Sequence, residues 1–98
     1  MTPAANVHVA CEPEDEGWRC TVRVGDDSAA TTHRVSISAG DVVRFAPTGV
    51  ITERLVEASF AFLLEREPRE SILREFDLPV IGRYFPEFEG EIRGRLRT

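Results

Sequence analysis

The stretch LVEASFAFLLEREPRESILREFDLPVIGRYFPEF, residues 55–88, decides how this chain can fold. It holds six of the eight aromatic side chains (Phe60, Phe62, Phe76, Tyr84, Phe85 and Phe88) in a chain of 98 residues, so any core must form around it. Pro68, Pro79 and Pro86 cut it into pieces, because proline lacks the N–H a helix interior needs and clashes with the preceding turn. Leu55, Val56, Phe60, Phe62, Leu63 and Leu64 form an apolar arc wider than one stripe. That arc predicts a main helix from an N-cap at Thr52 to about Glu67, buried on more than one side. Pro68 then opens a second helical segment with Ile72, Leu73 and Phe76 on one face. Asp77 caps a short helix through Val80, Ile81, Tyr84 and Phe85. Pro86 opens a last helix with Phe88, Ile92 and Leu96 at spacing four; Gly90 and Gly94 weaken it, and residues 94–98 are expected to fray.

Upstream of this stretch the period is two, the signature of half-buried strands. Val7, Val9 and Cys11 alternate with His8 and Ala10; Trp18, Cys20, Val22 and Val24 alternate with Arg19, Thr21 and Arg23; His33, Val35 and Ile37 alternate with Thr32, Arg34 and Ser36. Turns rich in acids, Gly and Ser separate them at 12–17 and 25–30. Matching apolar faces sets the register: Val9 against Val22 and Cys11 against Cys20, then Val22 against Val35 and Cys20 against Ile37. Ser38-Ala-Gly-Asp41 resembles a capping box with Asp in place of Glu, ahead of a short helix that must stop before Pro47. The expectation is an α+β domain: a three-stranded antiparallel meander over 7–11, 18–24 and 32–38, then four to five short helices packed on one face. Residues 1–98 form one domain with a loose tail at 1–6.

The segments FLLEREP (62–68), SIL (71–73), FDL (76–78) and RYFPE (83–87) occur in an order that resembles a family of small uncharacterised bacterial proteins. The resemblance covers roughly residues 52–92. It implies a shared fold unit and a bacterial setting; the family has no established activity, so the resemblance assigns no role to any residue.

Composition excludes several chemistries. All 12 basic residues are arginine, so a Schiff base, a lysine base and a phosphate-loop lysine are absent. The net charge of −5 disfavours a nucleic-acid partner. No apolar run reaches the length of a membrane span, and MTPAANVHVAC has no secretory pattern, which leaves a cytoplasmic address as the default expectation.

Three constellations are candidates for function. His8, Cys11, Cys20 and His33 offer zinc-binding atoms but lack paired Cys-x2-Cys knuckles, and His8 falls on the face opposite both cysteines. Cys11 and Cys20, placed opposite each other, have the geometry for a cross-strand disulfide, but a cytoplasmic pair is normally reduced, and the plainer reading makes them small and apolar, with His33 a hydrogen-bonded histidine of the sheet. The second is a helix-turn-helix over residues 71–97, with Arg83 on the recognition helix and Arg93, Arg95 and Arg97 on phosphates; Val80, Ile81, Tyr84 and Phe85 would have to be exposed there, and Glu87, Glu89 and Glu91 would repel the backbone. The third is an interface built on Tyr84, Phe85 and Phe88, surplus to what a small core can bury. No phosphate loop, nucleophile elbow or converging carboxylate pair is present, so neither cofactor nor catalysis is expected. A small non-catalytic domain that binds a protein partner or a second copy of itself is the leading expectation.

Overall fold

The structure, a computed structural model, describes residues 6–26 and 28–97. Residues 1–5 of the expected N-terminal tail lie outside the described residues, as do Asp27 and Thr98.

The alternating segments form strands β1 (Val7–Glu14), β2 (Gly17–Val24) and β3 (Thr31–Ser38). β1 runs three residues further than expected, so the turn shrinks to Asp15-Glu16, and Asp15 takes a φ of 53°. The β1–β2 register places Val9 against Val22 and Cys11 against Cys20, as the apolar pattern required. The same register continues to Asn6 and Gly25, where the Gly25 N–H donates to the Asn6 carbonyl at 2.7 Å. Antiparallel pairs alternate between bonded and non-bonded. The even-numbered residues of β1 therefore carry the bonds to β2, and Pro13, which has no N–H, falls on a non-bonded position.

The β2–β3 register differs from expectation by two residues: Cys20 faces Val35, Val22 faces His33 and Trp18 faces Ile37. A slip of two keeps every side chain on its own face, so hydrophobic patterning cannot detect it. Gly17 explains why the pairing is close at this end, since a Cβ there would lie 2.1 Å from the Ile37 carbonyl oxygen.

The expected three-stranded antiparallel sheet is corrected at residues 68–77. A single 3-10 turn over Arg69–Ser71 replaces the helix, and Glu75–Asp77 forms β4, parallel to β3. The sheet is four-stranded and mixed, in the order β1-β2-β3-β4. The Arg34 N–H donates to the Arg74 carbonyl at 2.8 Å and the Leu78 N–H to the Ser36 carbonyl at 3.0 Å. Parallel neighbours need a crossover, and the helices α1 (Ala39–Phe45) and α2 (Thr52–Leu64) supply it. α1 starts in the expected capping box, with Ser38 and Asp41 exchanging side-chain-to-backbone bonds of 3.0 Å each. α2 begins at Thr52 itself rather than after it, and ends at Leu64, three residues before the expected Glu67. α3 (Val80–Tyr84) and α4 (Phe88–Leu96) follow. Among the described residues four α-helices thus cover one face of the sheet. α4 holds its shape to Leu96, whose side chain is buried with those of Phe88 and Ile92.

The core lies between the sheet and α2, which packs across β1 and against α4. Phe60 rests on His33 and Phe76; Phe62 meets Phe85 and Phe88 edge-on; Phe88 reaches Phe45, with ring centroids 5.2–6.1 Å apart. Each buried ring of this kind stabilises the fold by roughly 2–3 kcal/mol. The opposite face of the sheet is polar and open, carrying Thr21, Arg23, Thr32, Arg34, Glu75 and Asp77. No helix among the described residues is long and apolar enough to cross a membrane.

Candidate interaction site

The zinc candidates do not assemble. Cys11 and Cys20 are joined in a disulfide across the β1–β2 pair, Cα to Cα 4.0 Å, so neither presents a thiol. This corrects the expectation of two separate reduced side chains; the short Cα separation is that of a non-bonded antiparallel pair. His8 lies on the open face and meets Asp26 at 2.9 Å. His33 is fully buried on the core face. Its Nδ1 sits 2.7 Å from the Leu73 carbonyl and its Nε2 2.8 Å from Thr31 Oγ1. A carbonyl only accepts, so Nδ1 carries the proton and Nε2 accepts from the Thr31 hydroxyl, which leaves the neutral ring fully satisfied. Burial pushes the His33 pKa down against the pull of the Leu73 bond, and the nearby Arg74 charge lowers it further. Among the described residues no three His, Cys, Asp or Glu side chains converge as metal ligands.

Two of the three arginines proposed for phosphate contact, Arg93 and Arg95, have other engagements. Arg93 Nη1 donates to the Arg44 carbonyl at 2.9 Å, where α1 ends. Arg95 pairs with Glu65 and Glu91, at 2.5 and 3.4 Å. The Arg95 bond holds the Glu65 carboxyl below the usual range and pushes the Arg95 guanidinium up. Arg66 stacks 3.6 Å above the Phe62 ring and binds Glu87 and Glu91, tying α2 to α4. The Glu87 pKa is lowered first by its own backbone N–H, then by Arg66. Arg83 and Arg97 are exposed, and Arg83 borders a polar cleft with Arg44 and Glu89. Where the first helix of the expected helix-turn-helix would run, the chain leaves the 3-10 turn at Ser71 and enters strand β4, and the second helix has only five residues.

The three aromatics proposed as an interface separate by depth. Phe88 is fully buried between Phe45 and Phe62 and belongs to the core. Phe85 is half-buried, while Tyr84 is 65% exposed. Tyr84 and Phe85 border an open cleft of about 150 Å³ between the end of α2, the entry to β4 and α3. Its lining is mainly apolar: Leu63, Ile72, Leu73, Phe76, Val80 and Ile81. Leu73, 47% exposed, stands on its rim. Glu67 also lines it, without an ion pair among the described residues.

Leu73 and Val80 are the residues that sequence reasoning missed. The helical reading placed Leu73 inside, beside Ile72 and Phe76. Alternation around β4 carried the contrary signal: Phe76 and Leu78 face in, Glu75 and Asp77 face out. Comparison of the chain with protein-family models, with curated proteins and with solved structures found no match.

Proposed function

We propose that this chain is a small non-catalytic protein-interaction domain, and that the apolar cleft beside α3 receives a side chain of its partner. The observation that carries the reading is the pairing of two exposed apolar residues, Leu73 and Tyr84, on the rim of one apolar hollow. Isolated surface apolar residues need no explanation, but a contiguous patch around a cleft marks an interaction site. A hollow of about 150 Å³ takes one aromatic ring or branched aliphatic side chain. Glu67 at the wall favours a basic residue next to that anchor. The partner is therefore a short segment with an apolar anchor flanked by Arg or Lys.

The disulfide bears on where the domain works. Disulfides persist in oxidising compartments and open in the cytoplasm. The Cys11–Cys20 bond supports an oxidising setting over the cytoplasmic default.

A displayed library of random peptides tests the binding role. Enrichment of peptides with an apolar anchor beside a basic residue is expected. Leu73→Ser or Tyr84→Ser should then weaken binding of a selected peptide by tenfold or more, as loss of an anchor contact of ~1.4 kcal/mol or greater does. Absence of such peptides, or binding indifferent to both substitutions, overturns the reading.

A further inference from the structure

We propose that β1 pairs edge to edge with β1 of a second copy of this chain, continuing the sheet across a two-fold axis at Val9. The proposal does not rest on the cleft.

Among the described residues β1 is an outer strand of the sheet, hydrogen-bonded to β2 on one side only. Because its even-numbered residues bond to β2, the backbone N–H and C=O groups of Val7, Val9 and Cys11 point outward. Natural edges are protected by proline, charge or bulges. Here the protection covers one half: Glu12, Pro13 and Glu14 guard the end near the turn, and Val7 to Cys11 carry no such device. The core-facing side chains of that unguarded half, Val7, Val9 and Cys11, are half-buried, whereas Val22 and Val24 on the next strand are fully buried. An added strand would complete their cover.

The occupant follows from self-complementarity. With Val9 on the axis, Val7 faces Cys11 of the second copy, and Val9 faces its own equivalent. All three pairs fall on bonded positions, and the core-side row becomes continuously apolar. On the open face, His8 meets Ala10 and Asn6 meets Glu12, so no acid faces an acid, although the chain carries a net −5. Pro13 stays outside the ladder. The cross-strand disulfide fixes β1 to β2 in the register that presents these groups. A C2 interface of this kind uses one patch twice.

Sedimentation and amide hydrogen exchange test it together. The mass should rise with concentration from 11.0 kDa towards twice that value. In the associated state, the outward amides of Val7, Val9 and Cys11 should exchange about tenfold or more slowly than in dilute protein. Val9→Pro removes the outward N–H without removing a bond to β2, and should give a monomer. Should that variant fail to fold, the concentration dependence of the wild-type amides decides alone. A strict monomer up to millimolar concentration overturns the proposal. So does a dimer whose Val9 amide stays unprotected, and a dimer dissolved by Tyr84→Ser would assign association to the cleft instead.

Discussion

His33 is a polar residue placed deep in an apolar layer, and its chemistry makes stability depend on pH. Burial lowers its pKa in the fold, whereas the unfolded imidazole titrates near 6.5. Between those two values the unfolded chain binds more protons than the folded one. The contribution of the neutral ring is therefore fully present above about pH 6.5 and is lost as pH falls through the folded value. The urea midpoint of the wild type should drop from about pH 7.5 to pH 5.5, and His33→Gln should flatten that drop, even with a lower midpoint throughout. Equal slopes would show that another group governs the transition. Asp15 offers a gain. Its φ of 53° is a conformation glycine adopts without penalty, so Asp15→Gly should raise stability by about 0.5–1 kcal/mol in the same titration. Neither feature was fully legible beforehand. The sequence placed His33 on the core face, but its bond to Leu73 depends on a chain reversal forty residues away, which local periodicity cannot carry.

Among the elements, β4 separates what the sequence could say from what it could not. Ile72 and Phe76 are four residues apart, and four is a whole number of strand periods as well as about one helical turn. That spacing alone could not choose between the two structures. The difference lies in Leu73, which a helix buries and the observed chain exposes. Phe76→Ala should cost about 3–5 kcal/mol, as for other buried aromatic truncations, and Leu73→Ala less than about 1 kcal/mol, as at a surface position. Similar losses at both would favour the helix. End signals written in local chemistry were read with mixed success: Thr52 and Asp77, expected as caps, cap nothing, since α2 and α3 have Ile51 and Pro79 at their N-caps and Asp77 ends β4. The Ser38–Asp41 capping box was visible as four letters, and Ser38→Ala should lower stability by about 1 kcal/mol, measurable by denaturant titration. The interface candidates were legible only in composition. Three neighbouring aromatics share a stretch, but α4 turns Phe88 inward while α3 leaves Tyr84 outside.

For the molecule as a whole, the sheet is fastened at both edges by different means. The β1 side is closed by a covalent bond spanning nine residues of sequence. In the chain-entropy account a bridge of that span contributes about 2–3 kcal/mol. A reductant should lower the melting temperature of the wild type and leave that of Cys11→Ala/Cys20→Ala unchanged; an unmoved wild type would mean that the bond contributes nothing. The other edge is closed only by the brief pairing of Glu75–Asp77 with β3. All of α1 and α2 lies within the loop that this seam completes, so the seam can close only after the helices have come back to the sheet. The Leu73 carbonyl holds His33, and the Arg74 carbonyl makes the first bond of the seam. The lip of the proposed docking hollow and the last stitch of the fold are thus adjacent links of one backbone. A guest that grips Leu73 also fastens the stitch, and its grip would be felt as slower opening at Arg34 and Leu78, on amides it never touches.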